Sequence, residues 1–87
     1  MARITDTLSK VMEKVEAIQY ADGDRHWYKD GKLHRDGDLP AVEFADGTRQ
    51  WYKDGLLHRA GDLPAIEYAS GAREWYRNGV AYTPKSK

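Results

Sequence analysis

The 87-residue chain contains no cysteine, which excludes disulfide stapling and thiolate metal sites and fits a reducing cytoplasm. Net charge is also missing, with 14 Lys and Arg against 14 Asp and Glu, so the chain does not read as a basic tail for nucleic acid. No stretch approaches the roughly 18 consecutive apolar residues of a membrane span, and the opening residues lack the apolar core of a secretion signal. We expect a soluble, cytoplasmic protein. Catalytic signatures are missing too. There is no Walker-type phosphate loop, dinucleotide fingerprint, HExxH or serine elbow, and Ser9, Ser70 and Ser86 lack patterned His and Asp neighbours. No enzyme activity, cofactor or metal is expected. A chain this short buries a modest fraction of its surface, so a thick two-layer core would need a partner subunit.

What the chain does have is aromatic residues, 3 Trp and 6 Tyr, too many for a disordered linker, and they recur at a fixed interval. WYKDG at residues 27–31 returns unchanged at 51–55 and as WYRNG at 75–79. YADGDRHWYKDGKLHRDGDLPAVE (20–43) and FADGTRQWYKDGLLHRAGDLPAIE (44–67) agree at 18 of 24 positions, and a third copy starting at 68 loses the pattern after Gly79. A 24-residue unit is therefore repeated. The balance of charge drifts from −2 in the first copy to −1 and then +3, a gradient able to orient head-to-tail association.

Asp-Gly, Asn-Gly and Ser-Gly pairs punctuate the units, putting turns at Gly23, Gly31, Gly47, Gly55, Gly71 and Gly79. The runs between them are short and aromatic and read as strands. Gly37-Asp38-Leu39-Pro40 and Gly61-Asp62-Leu63-Pro64 interrupt each unit, with a new strand after the proline. Links this short allow only a meander. Alternation in Ala41-Val42-Glu43-Phe44, in Ala65-Ile66-Glu67-Tyr68 and in the partial copy Ala17-Ile18-Gln19-Tyr20 suggests a core of Ile18, Val42, Ile66, Phe44 and Tyr68. Trp27, Trp51 and Trp75 are expected to join that aliphatic ladder, with Tyr28, Tyr52 and Tyr76 on the opposite face. Ahead of the copies, Leu8, Val11, Met12 and Val15 lie at helical spacing behind Thr5 as a cap, predicting a short helix that covers the end of the array. The expected organisation is a helical cap over 1–16, a mainly β repeat domain over 17–82 and a disordered tail over 83–87.

These residues resemble the MORN repeat group, and in particular its bacterial, phage and viral variants. The matching positions are Gly23, Trp27-Tyr28, Asp30-Gly31, Leu33-His34-Arg35 and Pro40-Ala41, then Gly47, Trp51-Tyr52, Asp54-Gly55, Leu57-His58-Arg59 and Pro64-Ala65. The resemblance covers residues 17 to 79. It implies an antiparallel meander of stacked short hairpins serving as a contact platform for proteins or membrane surfaces, and small phage-borne relatives suggest an inhibitor of a host protein. The chain departs from the pattern in having Gly-Asp-Leu-Pro-Ala where the relatives look like Gly-Pro-Ala, and in having few copies.

Chemistry at individual positions favours binding over catalysis. His34 and His58 occupy matching places, each followed by an arginine. An acid–base role steered by Asp36, Asp38 or Asp62 is conceivable, but one active site rarely needs two copies a period apart, so a structural or interface role is preferred. Asp22, Asp24, Asp30, Asp36 and Asp38 crowd the first copy without the spacing of a calcium loop, and turns account for them. Arg25, Arg49 and Arg73 stand two residues before each Trp, a pattern usable for stacking and phosphate contact on single-stranded nucleic acid, though cation–π packing inside the sheet serves equally. The preferred reading is a protein-binding module with Tyr28, Tyr52, Tyr76, His34 and His58 as the contact ridge and Arg35 and Arg59 adding carboxylate contacts. The nearest rival is self-association, as a dimer, through the open edge around Trp75 and Tyr76, which Ala81 and Tyr82 cover in part.

Overall fold

The computed structural model describes residues 14–84. Eleven short strands follow in chain order: β1 (Val15–Gln19), β2 (Arg25–Lys29), β3 (Lys32–Leu33), β4 (Val42–Glu43), β5 (Arg49–Gln50), β6 (Tyr52–Lys53), β7 (Leu56–Leu57), β8 (Ile66–Glu67), β9 (Arg73–Glu74), β10 (Tyr76–Arg77) and β11 (Val80–Ala81). All pairings are antiparallel. The main sheet runs β1-β2-β4-β5-β8-β9 with β3 beside β2, and β6-β7 and β10-β11 form separate hairpins. The chain is thus mainly β, a hairpin meander, with no helix among the described residues.

Two turn types build it. Asp30-Gly31, Asp54-Gly55 and Asn78-Gly79 all have positive φ at both positions, between 50° and 87°, the type I′ geometry that matches strand twist in a two-residue hairpin. The turns at Gly23, Gly47 and Gly71 are one residue longer. At Phe44 the carbonyl accepts from Gly47 N–H at 2.9 Å, while Phe44 N–H donates to Thr48 at 2.9 Å. Gly47 alone takes positive φ there, at 99°, the arrangement of a turn closed by a glycine bulge. Asp46 Oδ1 accepts from Thr48 N–H at 2.8 Å, and Asp22 does the same for Asp24 at 3.0 Å, which is why Asp precedes these glycines.

Successive sequence copies make the same contacts 24 residues apart. Trp27 N–H donates to Ala41 and Trp51 N–H to Ala65, each at 2.8 Å. Gly55 N–H donates to Leu33 and Gly79 N–H to Leu57, also at 2.8 Å. The third copy keeps its backbone pattern beyond Gly79: Tyr82 N–H donates to Trp75, as His34 does to Trp27 and His58 to Trp51.

The register corrects the expected faces. His26 pairs with Val42, Val42 with Gln50 and Gln50 with Ile66, while Arg25 pairs with Glu43 and Arg49 with Glu67. Alternation then puts Tyr28, Tyr52 and Tyr76 on the face of Val42 and Ile66, and the tryptophans on the opposite face with the arginine and glutamate ladder. The aliphatic ladder thus shares its face with the tyrosine of each Trp-Tyr pair and not, as expected, with the tryptophan, because the pair itself does not show which residue lies across from it.

The proposed N-terminal helix is corrected in part. Val15, the last member of its apolar stripe, and Glu16 begin β1, which pairs with β2 along its whole length from Val15↔Lys29 to Gln19↔Arg25. Five residues that alternate and find a complete partner strand gain more from the ladder than from ending a marginal helix. The rest of the helix, residues 1–13, and tail residues 85–87 lie outside the described residues.

Burial concentrates in the middle of the sheet. Ala41, Val42, Trp51, Ala65 and Ile66 form the apolar core, joined by the buried polar residues His34 and Thr48. Of the other expected core residues, Trp27, Trp75 and Phe44 are half-buried and Ile18 and Tyr68 are exposed. Ile18 lies in the edge strand, with a neighbouring strand on one side only among the described residues.

Two glycines at the same place in successive copies allow a controlled test of packing. A Cβ on Gly47 would meet nothing within 4 Å, whereas on Gly23 it would stand 3.0 Å from Ala45 Cβ. Gly47→Ala is expected to cost about 1–3 kcal/mol from backbone strain alone, and Gly23→Ala more, measured as paired urea unfolding midpoints. Acid acts at the same turns. The Thr48 amide and hydroxyl hold the Asp46 carboxyl below its ordinary value, so the native state binds that proton less readily than the unfolded chain. Its contribution to stability is present above the ordinary value of 3.8 and is lost as pH falls through the lowered one. Asp46→Ala should therefore show a shallower loss of stability below about pH 4 than wild type in unfolding titrations.

Candidate functional site: an aromatic face and an inter-hairpin groove

The expected contact residues separate into two places. His34, Arg35, Tyr52, His58 and Arg59 line one groove of about 370 Å³ between the first and second copies, with Asp36, Asp38 and Trp51. Tyr28 and Tyr76 do not line it and belong to the aromatic face of the sheet.

In the groove the side chains are committed to holding the hairpins together. His34 is 8% exposed. Its Nδ1 accepts from the Asp54 amide at 3.0 Å, which leaves the proton on Nε2 to donate to Asp36 Oδ1 at 2.8 Å. That bond from His34 and the nearby Lys29 ammonium hold the Asp36 carboxyl below its usual range. His58 repeats half of this, its Nδ1 accepting from Asn78 N–H at 3.0 Å, with Ala60 standing where the first copy has Asp36.

The arginines are equally engaged. Arg35 stacks on Trp27 with its guanidinium carbon 3.7 Å from the ring centroid, and Arg59 stacks on Trp51 at 3.8 Å. Each also donates to a carbonyl of the loop that follows it, Pro40 or Pro64, at 3.1 Å. Glu43 receives both Arg25 at 3.1 Å and Arg35 at 3.3 Å, and Glu67 receives Arg49 at 2.7 Å and Arg59 at 3.2 Å. Arg49 lies 6.0 Å from the Trp51 ring, so the cation–π partner is the arginine after His, and the arginine two residues before Trp serves the carboxylate.

Sequence alone assigns no role to Glu43 and Glu67, and suggests Asp38 and Asp62 only as groups steering the histidines or forming turns. Glu43 and Glu67 are the points where two guanidinium groups meet. Asp38 and Asp62 present their carbonyls to the indole N–H of Trp51 and Trp75 at 3.1 and 3.0 Å. Asp38 also takes Arg59 at 2.9 Å, and Asp62 takes Arg77 at 3.0 Å and the Tyr82 hydroxyl at 3.2 Å. Positive φ at both, 57° and 58°, folds the loop back over the next copy's tryptophan. The signal was there, since Gly-Asp-Leu-Pro and Glu recur unchanged in both complete copies.

The aromatic face has looser attachments. The neighbouring Tyr20 hydroxyl, together with burial, pushes the Tyr28 phenol above its usual value. Burial raises Tyr52, and burial with the Glu74 carboxylate raises Tyr68. Upward shifts from 10.0 keep these hydroxyls protonated through the neutral range. Tyr52 donates to Gln50 Oε1 and Tyr76 to Glu74 Oε1, both at 3.3 Å. His26 packs edge-on against Tyr20 at 4.8 Å and Phe44 at 6.5 Å between centroids. Tyr20 and Tyr68 are exposed, and Tyr28, Phe44, Tyr52 and Tyr76 half-buried.

Charge is divided between the two faces. By the same alternation, Arg25, Lys29, Lys32, Arg49, Lys53, Arg73 and Arg77 all lie on the tryptophan face, and the tyrosine face carries only Glu16 and Glu74 as strand charges. Lys14, just ahead of β1, sits 3.8 Å from Glu16.

Among the described residues no group of His, Asp and Glu is arranged to hold a metal ion, and no helix is long and apolar enough to cross a membrane. No protein-family model matches the chain, and no curated protein or solved structure resembles it significantly.

The imidazole contacts are open to direct measurement. His34→Ala removes a buried imidazole and the acceptor of the part-buried Asp54 amide bond and should cost about 1–3 kcal/mol. His58→Ala, at a half-buried site, should cost less. Chemical denaturation of both variants against wild type measures the difference, and equal losses would show that the imidazole bonds do not carry the hairpin stacking.

Proposed function

We propose that the protein is a non-enzymatic binding module that engages a protein partner through its tyrosine face. The carrying observation is the run of half-buried and exposed rings, Tyr20, Tyr28, Phe44, Tyr52, Tyr68 and Tyr76, gathered on one side of a sheet with no strand lysine or arginine among them. Rings with an apolar body and a protonated hydroxyl bring large contact area at low entropic cost, the property that enriches Tyr at interfaces. His34, Arg35 and Arg59 move from the contact ridge to a supporting role, since their polar atoms already bind within the chain.

The scaffold in this reading is a MORN-like stack, in which each 24-residue copy supplies one hairpin and the neighbouring copies complete its hydrogen bonds. The recurrence of indole, imidazole and glycine-amide contacts at the copy interval supports it. Single-stranded nucleic acid is the weaker reading. Arg25 and Arg49 spend their charge on Glu43 and Glu67, and the exposed rings sit on the side with Glu16 and Glu74, where phosphates are repelled.

Capture from lysate by the immobilised chain, with the retained protein then titrated against variants, tests the reading. Tyr52→Ala is expected to weaken the captured partner by about 2 kcal/mol, roughly thirtyfold. Lys53→Ala, one residue along and on the opposite face, should change little. Equal binding by the folded Tyr52 variant, or a larger loss from Lys53→Ala, would move the interface to the other side of the sheet.

A further inference from the structure

The two ends of the sheet are complementary to each other. At the tail, β9 is an edge strand. Trp27 and Trp51 give their amides to Ala41 and Ala65, just ahead of β4 and β8, but among the described residues no further strand pairs with the outer side of β9, and the Trp75 amide has no acceptor among them. Arg73 holds the place of Arg25 and Arg49, whose guanidinium groups are bound by Glu43 and Glu67. It is exposed, with no ionic partner among the described residues.

The head carries the missing strand. Ala17-Ile18-Gln19-Tyr20 in and just after β1 aligns with Ala41-Val42-Glu43-Phe44 and Ala65-Ile66-Glu67-Tyr68. Its pairing with β2, Ile18↔His26 and Gln19↔Arg25, repeats that of β4 with β5, Val42↔Gln50 and Glu43↔Arg49. The outer edge of β1 is therefore the edge that β4 offers to β2 and β8 offers to β5. No described strand lies on that side, and Ile18 is 39% exposed where Val42 is 2% and Ile66 is 5% exposed.

We infer that two copies of this chain associate head to tail, β1 of one adding to β9 of the other in the register that joins β8 to β5. Arg73 would face Gln19 of the second copy and Glu74 its Ile18, as Arg49 faces Glu67 and Gln50 faces Ile66. The Trp75 amide would meet the carbonyl of the second copy's Ala17. Charge favours this order, with a first copy at −2 and a final segment at +3, and the contact continues an interface the chain already makes within itself. The junction is weaker than its internal counterparts at one position. At the position where Glu43 and Glu67 each bind arginine, the joining strand has Gln19, so the junction gains strand hydrogen bonds and the cover over Ile18 without an ion pair. Association is accordingly concentration-dependent and reversible.

The glutamine makes the inference testable by gain as well as loss. Sedimentation equilibrium over a wide concentration range, with circular dichroism to verify folding, should give a wild-type mass rising above 10.0 kDa at high concentration. Gln19→Glu restores the acid opposite Arg73 and should tighten association about two- to fivefold at low salt, the strength of an exposed ion pair. Adding Arg73→Glu to that variant should reverse the gain and weaken association below wild type. A strict monomer for both wild type and Gln19→Glu would overturn the inference. Association insensitive to both substitutions but lost in Tyr52→Ala would overturn it too, placing self-contact on the tyrosine face. Binding of a heterologous partner to that face is a separate reading and survives either result.

Discussion

Among the described residues the buried apolar side chains are few, Ala41, Val42, Trp51, Ala65 and Ile66 with Pro40 and Pro64 beside them, and that scarcity governs the rest of the design. Burial at about 25 cal/mol per Å² is the ordinary source of cohesion, and a single layer of short strands gives it little surface to act on. Cohesion is instead carried by polar contacts between one hairpin and the next. The indole N–H of Trp51 reaches back to Asp38, the imidazole of His34 reaches forward to Asp54, and Arg59 sits between Trp51, Pro64, Glu67 and Asp38. Each bond is worth about 1 kcal/mol net, but each removes a polar group from competition with water, and the stacked guanidinium adds cover that a short apolar chain would not.

Such contacts need a neighbour on both sides, so they are complete only in the middle. Trp51 has a loop behind it and a strand ahead of it and is 5% exposed, while Trp27 and Trp75, one neighbour short, are half-buried. The side-chain ladder ends in the same way. Asp24 and Thr48 accept the amides of Ala45 and Ala69 at 2.8 and 3.0 Å, and the equivalent position in the last copy is Ala72, which has no acceptor to give. Tyr82 finishes the last hairpin in place of a histidine, its hydroxyl on Asp62 and its ring under Arg77 at 4.3 Å.

The sequence revealed the parts of this that depend on local backbone chemistry. Asp30-Gly31 and Asp54-Gly55 announce their hairpins because few other dipeptides tolerate positive φ twice in succession, and Pro40 and Pro64 mark where each new strand begins. Which face carries which ring was not legible in the same way. Trp27-Tyr28 guarantees opposite faces but not the assignment, which follows from His26 lying across from Val42, a relation set by loop length and not by the pair. The roles of His34 and Arg35 were hidden for a similar reason. Repetition identified them as important, but the partners that occupy them, Asp54 and Glu43, lie 20 and 8 residues away, and only the stacked arrangement brings them into contact.

The division of charge between the faces follows from the same constraint. Arg25, Trp27 and Lys29 alternate with His26 and Tyr28 along one strand, so a period of two sorts cations from phenols without any further device. The sorting holds only while the register holds, since a slip of one residue would carry every ring to the other side. Register is fixed where the chain turns, by type I′ corners that admit two residues and by glycine-bulge corners that admit three. It is fixed again by Glu43 and Glu67, each gripping one arginine across the strand pair and a second from the loop. The tryptophan face, with its indoles and ion pairs, is therefore the side that sets the alignment. The tyrosine face, freed from that task, is left with rings whose hydroxyls are held but whose surfaces are not fully covered.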